Sequence, residues 1–208
     1  MKAIIYMVVS ALLVNFNEAI VVKNINEYVD EVLHVKFQQV MNNGLFDFFF
    51  LHYTLMDDTR ITFHNGKIKN MADLKRDRYC ANLTQSKELL IVCTLTFHSL
   101  TVEYFAELEI SENTILTFLT VSHVGPTDLT IKITSTPQLD YANLTRFLVV
   151  NMGYISIKFS YLEYGGEIFR KLIEANLKDH IMNEIHEMLN TYLWNSLKSA
   201  LSHYFSPK

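Results

Sequence analysis

From Glu167 to Ser206 the chain contains neither glycine nor proline, and its apolar residues keep a helical spacing throughout. Ile168/Phe169, Leu172/Ile173, Leu177, Ile181, Ile185, Met188/Leu189, Tyr192/Leu193, Leu197, Ala200/Leu201 and Tyr204/Phe205 recur every three or four residues. That spacing predicts one apolar face on a helix of about ten turns. Lys, Glu, Asn and Ser fill the other face, and Asp179, a helix-capping residue type, marks the expected place for a break near Lys178-Asp179. The stripe is wider than the a/d seam of a coiled coil. Such a helix needs a larger apolar surface to lie against.

The residues upstream supply it. Leu89, Ile91, Cys93, Leu95 and Phe97 share one parity, with Thr94, Thr96 and His98 on the other. After Ser99 the phase flips, and Leu100, Val102, Tyr104, Ala106, Leu108 and Ile110 become the apolar set. A one-residue slip sends every side chain to the opposite face, so His98-Ser99 is expected to hold a turn or a bulge between two strands. Further strands are predicted over Thr114–Val124, Leu129–Ile133, Tyr141–Val150 and Ile155–Tyr161, punctuated by Gly125-Pro126 and Asn151-Met152-Gly153. One-sided alternation marks antiparallel strands with one covered face. His64-Asn65-Gly66, between Ile61-Thr62-Phe63 and Lys67-Ile68-Lys69, predicts a hairpin or tight bend.

An amphipathic helix precedes the strands. Ile25, Tyr28, Val29, Val32, Leu33, Phe37, Val40 and Met41 form its stripe, Asn24 and Glu27 resemble a capping box, and Asn42-Asn43-Gly44 ends it. The run from Leu45 to Leu55 is apolar without a clear period. Two readings stand for it: an extended segment on a core or cavity wall, or a membrane-inserting tip at Phe48, Phe49 and Phe50.

The first residues read as an export signal. Lys2 is followed by the uncharged apolar run Ala3–Val14, a polar stretch Asn15–Glu18 and the small residue Ala19. The apolar run falls short of the roughly twenty residues that span a bilayer as a helix. The expected division is a signal peptide over 1–19 and a single extracellular domain over 20–208. Half the chain is apolar, with 14 Phe and 11 Tyr, which suffices for a large core. The net charge is −4 and basic residues form no block, which excludes nucleic acid as the expected partner. Cys80 and Cys93 are an even pair in a chain bound for an oxidising compartment, so a disulfide is expected. Asn82-Leu-Thr84 and Asn143-Leu-Thr145 are glycosylation sequons, and Asn82 falls inside the loop that the cysteines would close, as an exposed tip.

No catalytic or metal-binding motif accompanies these features. His180 and His186 are six apart, off ligand spacing on one helix face, and HExxH, Cys-x-x-Cys pairs, calcium loops, phosphate loops and G-x-S-x-G are all absent. Each histidine is therefore read as a surface or structural residue. The expectation is a non-enzyme without metal or cofactor.

The order of these elements, together with the segment ITFHNGKIKNMADLKRDRYC around Gly66, Leu74 and Arg76, resembles the mite group 7 allergens. More loosely, it resembles the takeout, juvenile-hormone-binding and bactericidal-permeability-increasing-like lipid-binding proteins. The resemblance covers about Asn24 to Phe205. It implies an α+β super-roll, with a strongly curved antiparallel sheet wrapped around the long C-terminal helix and an apolar cavity between them. It further implies an arthropod lipid-binding protein. Two departures bear on the ligand: the cysteines join neighbouring strands, unlike the N-terminal bridge of hormone carriers, and the chain is shorter.

On this reading Leu95, Phe97, Val102, Tyr104, Leu129, Ile131, Ile157 and Phe159 line the cavity from the sheet, and Ile185, Leu189, Tyr192 and Leu193 from the helix. Two functions follow. One is a secreted, non-catalytic carrier of lipid-like or other hydrophobic small molecules, a monomer or weak dimer. The other is a secreted effector that binds a host or microbial surface partner with no internal ligand. Transient contact with a membrane or a microbial surface fits both.

Overall fold

The computed structural model describes residues 25–42, 47–48, 51–54, 59–85, 88–111, 114–136, 142–160 and 166–203. The expected signal peptide and Phe49-Phe50 of the aromatic run lie outside them. Helix α1 (residues 25–42) leads to β1 (Asp47–Phe48), β2 (Leu51–Thr54), β3 (Arg60–Lys69), β4 (Lys75–Arg76), β5 (Ala81–Gln85) and β6 (Glu88–Phe97). Then come β7 (Leu100–Ser111), β8 (Thr114–Val124), β9 (Thr127–Ser135), β10 (Ala142–Asn151), β11 (Ile155–Ser160) and a long helix α2 (residues 166–203). The antiparallel strands and long C-terminal helix of the expected fold class are present, with the strands divided between two sheets. The first runs β1-β3-β7-β8-β11 with β2 also on β3; the second runs β10-β9-β6-β4 with β5 also on β6.

The phase flip at His98-Ser99 joins the sheets. β6 pairs with β9 as far as Phe97↔Thr127, and β7 resumes with β8 at Leu100↔Val124. Both strands take three steps across the gap, so neither gains a residue and the break is a corner without a bulge. The buried set changes parity in both strands at that corner. Leu89, Ile91, Leu95, Phe97, Leu129 and Ile131 are buried before it, and Leu100, Val102, Tyr104, Thr120, Ser122 and Val124 after it. A swap in both partners at once keeps the apolar side inward as the ribbon passes between sheets. The corners before β9 and β11 pack on each other: a Cβ on Gly153 would stand 2.4 Å from the Gly125 carbonyl carbon, so no side chain fits there. Gly125 N–H donates to the Tyr154 carbonyl at 2.8 Å.

Asn65-Gly66 does not reverse the chain as the turn signal predicts. β3 runs through it against β7, pairing His64↔Phe105 and then Lys67↔Glu103. Three steps on β3 face two on β7, a one-residue bulge, and Asn65 takes the left-handed backbone (φ 55) that such a bulge uses. The long ladder to β7 holds the strand on course through a sequence that would bend in isolation.

Of the predicted α1 stripe, Ile25, Tyr28, Val29, Val32, Leu33, Phe37 and Met41 are in the core, and Val40 is half-buried. Two polar contacts fix the helix to the second sheet. Asn26 Oδ1 accepts the Cys80 N–H at 2.9 Å. The Arg76 guanidinium donates to both carboxylate oxygens of Asp30 at 2.9 and 2.6 Å. Beneath them Cys80 and Cys93 form a disulfide between cross-strand neighbours, with Cα atoms 4.4 Å apart.

Helix α2 does not break near Lys178-Asp179. Asp179 is exposed in mid-helix, and Lys178 pairs with Glu174 one turn earlier at 2.7 Å, which supports the helix there. The irregularity is a π-turn at Leu189–Leu193, between the α-helical stretches Gly166–Met188 and Trp194–His203. Asn190 Nδ2 donates to the His186 carbonyl at 2.9 Å, and Thr191 Oγ1 donates to the Glu187 carbonyl. Such back-bonding competes with the regular ladder and loosens the turn. The buried residues Ile173, Leu177, Ile181, Ile185, Leu189, Leu193, Leu197 and Leu201 stand four apart. Each step of four drifts about 40° around an α-helix, so the stripe winds about its axis. Its first part faces the first sheet, at β11 and Tyr104, and its last part faces β10 and α1.

Candidate ligand site between the first sheet and the C-terminal helix

Between Val102 and Tyr104 of β7 and Thr120 and Ser122 of β8, the inner face is enclosed yet not fully apolar. Tyr104 lies opposite Thr120, and Val102 opposite Ser122, so Ser122 is the diagonal neighbour of Tyr104 on the same face. All four are 0 % exposed. Phe63 of β3 meets the Tyr104 ring edge-on at 5.9 Å and Phe118 at 6.4 Å. From α2, the His180 ring covers Tyr104 at 6.2 Å between centroids. Glu184, one turn along the helix from His180, flanks the same contact and acts electrostatically on Tyr104.

Burial governs the charges here. It lowers the His180 imidazole below its ordinary range. It also raises the Tyr104 phenol, with the Glu184 charge adding to the effect, and raises the Glu184 carboxyl, to which Glu187 adds. In each case burial disfavours the charged form of the group. Thr120 Oγ1 donates to the Tyr104 carbonyl at 3.5 Å. Ser122 Oγ and His180 Nε2 are buried and have no hydrogen-bond partner among the described residues. Leaving such a group unsatisfied costs about 1–3 kcal/mol. The two share no hydrogen bond with each other. Among the described residues no group of three His, Cys, Asp or Glu side chains is placed to hold a metal ion.

Of the residues read from the sequence as lining, Leu95, Phe97, Leu129 and Ile131 are buried in the second sheet, and Val102 and Tyr104 in the first. Ile185, Leu189 and Leu193 are buried on α2, while Ile157 and Phe159 are half-buried and pack against the same core. Tyr192 departs from the expectation, being 56 % exposed. The wider π-turn carries the stripe from Leu189 directly to Leu193 and leaves Tyr192 outside it. Sequence reasoning missed Thr120, Ser122, His180 and Glu184. The odd positions of β8 hold Ile115, Leu119 and Val121, so neither parity stood out as the inner one. In the sequence His180 stands off metal-ligand spacing with His186 and reads as a surface or structural residue, beside Ile181 at the edge of the stripe.

No protein-family model matches the chain, and no curated protein matches it. Among solved structures, it is similar to the crystal structure of lipopolysaccharide binding protein, with TM-score 0.48 and 15 % identity over 82 % of this chain and 39 % of that one. It is also similar to Takeout 1 of Epiphyas postvittana, with TM-score 0.40 and 10 % identity over 85 % and 90 % of the two chains. The chain thus spans about two-fifths of the length of the lipopolysaccharide binding protein chain it matches.

Proposed function

We propose that this chain is a secreted, non-catalytic carrier that holds a lipid-like or other hydrophobic small molecule between the first sheet and α2. The observation that carries this reading is the presence of two buried polar atoms without a hydrogen-bond partner among the described residues, Ser122 Oγ and His180 Nε2, at a largely apolar core. Ligand sites of this class are apolar enclosures with a few polar groups that fix orientation. The export-signal pattern over 1–19 and the disulfide support secretion. Asn82 and Asn143 are half-buried on the edge strands β5 and β10, and each is proposed to carry sugar on its outward side. Asn82 sits beside the disulfide within a paired strand, away from the hairpin tip. Native mass spectrometry of protein secreted by eukaryotic cells tests the carrier reading. It is expected to show a non-covalent mass that organic extraction removes. A bare chain that also fails to take up fluorescent long-chain lipids would overturn it.

One observation favours a surface-binding role. On the outer face of the first sheet Phe105 and Leu119 stand directly opposite each other, each 39 % exposed, with the His64 ring 5.0 Å from Phe105. Retention of a serum or microbial-surface component by the wild type and not by Phe105→Ser would establish that reading. Equal retention by both would remove it.

A further inference from the structure

We propose that the outer side of edge strand β10, together with Lys132 of β9, docks on the anionic head groups of a lipid bilayer. The inference stands apart from the carrier reading. It concerns the face of the second sheet turned away from the core, and it needs no internal ligand.

Two cations set the surface. Lys132 and Arg146 are direct cross-strand neighbours in the register of β9 and β10. Like charges in that position repel each other. A β-bulge creates the arrangement: Leu144 pairs with Ile133 and Arg146 with Lys132, so Thr145 is an extra residue on β10. Leu144 and Ile133 are buried, and in an unbroken strand Arg146 would share their inward face. The bulge turns Arg146 out to solvent beside Lys132, and the Thr145 hydroxyl donates to the Lys132 carbonyl at 3.2 Å. Elsewhere basic side chains are matched, Lys69 with Glu103, Arg76 with Asp30, Lys171 with Glu167 and Lys178 with Glu174. Among the described residues Lys132 and Arg146 have no carboxylate at ion-pair distance. The next outward positions along the ladder are Thr130 opposite Leu148, and only then Asp128 opposite Asn151. Apolar side chains continue the surface. Leu148 is 47 % exposed and Val150 59 %, while Phe147 and Val149 on the other side of the strand pack on the core. Tyr154, in the corner before β11, is 76 % exposed. Cations beside exposed aliphatic groups and a tyrosine suit a membrane interface, where the cations meet head-group anions and the apolar groups enter the acyl boundary. A second copy packed here about a two-fold axis would bring the same cations to the same surface, which opposes self-association.

Co-sedimentation with phosphatidylcholine vesicles, with and without about one-third phosphatidylserine, tests the proposal. The secreted protein is used before and after N-glycosidase treatment, because Asn143 lies on the same outward side of β10, just before the bulge. The treated protein is expected to bind the anionic vesicles about tenfold better than the neutral ones at low salt, and to lose that advantage as salt is raised. Arg146→Gln and Lys132→Gln are each expected to weaken anionic binding about fivefold, the worth of one basic residue at such a surface. Leu148→Ser is expected to weaken it about fivefold at low and high salt alike, as loss of an apolar contact does. Lys69→Gln, on the outer face of the first sheet, is expected to change nothing. Equal binding to both vesicles, equal loss in Arg146→Gln and Lys69→Gln, or self-association that Leu148→Ser abolishes overturns the proposal. Retention on heparin without vesicle binding also overturns it, and assigns the cation pair to a sulfated polymer. A protein that takes up long-chain lipids yet ignores anionic vesicles loses this docking surface alone, and the carrier reading stands. Thermal melts of each variant separate loss of folding from loss of binding.

Discussion

The two halves of the long ribbon share one register and one continuous core but are finished differently. In the second sheet the inner positions of β6 and β9 are Leu89, Ile91, Cys93, Leu95 and Phe97 against Leu129, Ile131 and Ile133. Its buried hydroxyls at Thr96 and Thr127 find carbonyls at Phe97 and Gly125. The Arg76–Asp30 pair and the Asn26 contact tie this half to α1, and the disulfide staples β6 to the segment that enters β5. In the first sheet the corresponding face carries Tyr104, Thr120 and Ser122 beneath His180, and two polar atoms are left open. One half is finished as a packed, cross-braced core. The other keeps the unmet polar groups that a ligand would need.

That contrast breaks most readily in the second sheet. Leu95→Ala is expected to destabilise the protein by about 2–5 kcal/mol, seen as a lower denaturant midpoint, because a fully buried leucine leaves a cavity among neighbours that cannot collapse into it. Replacing both cysteines by alanine should cost about 3 kcal/mol by freeing the loop between them in the unfolded chain. Arg76→Ala is expected to cost about 1 kcal/mol, since Asp30 is partly solvated and the pair is partly screened. Ser122→Ala should behave in the opposite way. Removing an unsatisfied hydroxyl should leave the empty protein unchanged or up to about 1 kcal/mol more stable, while ligand binding weakens.

The smallest effect is one of pH. The unfolded chain takes up a proton at His180 near pH 6.5, and burial makes the folded imidazole resist it. More protons bound in the unfolded state mean that stability rises with pH, so the His180 contribution is present above that value and lost as pH falls through and below it. Glu184, with its carboxyl raised by burial and by Glu187, acts in the opposite sense as pH falls through its own raised range. His180→Asn is therefore expected to show a shallower loss of stability than the wild type in urea titrations between about pH 7 and pH 5. An equal loss would place His180 in solvent.

Much of this architecture was legible because periodicity reports which face is covered. The α1 stripe, the flip after Ser99 and the long C-terminal helix each follow from the spacing of residues such as Val29, Leu100 and Leu177. What the spacing could not show was the partner. Asn65-Gly66 carries the local chemistry of a turn, and only the ladder to β7 makes it a bulge. Tyr192 has the spacing of a buried residue, and only the π-turn removes it from the stripe. Ser122 and His180 are ordinary surface residue types, and the burial of Ser122 Oγ and His180 Nε2 arises from tertiary packing, in which α2 lays His180 against Tyr104 of β7. A polar group buried by tertiary packing leaves no periodic trace.

Hydrogen exchange with and without a bound fluorescent long-chain lipid tests the division of labour most directly. The account expects added amide protection in β7, β8 and the Gly166–Met188 part of α2, with β6 and β9 unchanged. Added protection centred on β6 and β9, or none anywhere while the lipid is bound, would contradict it.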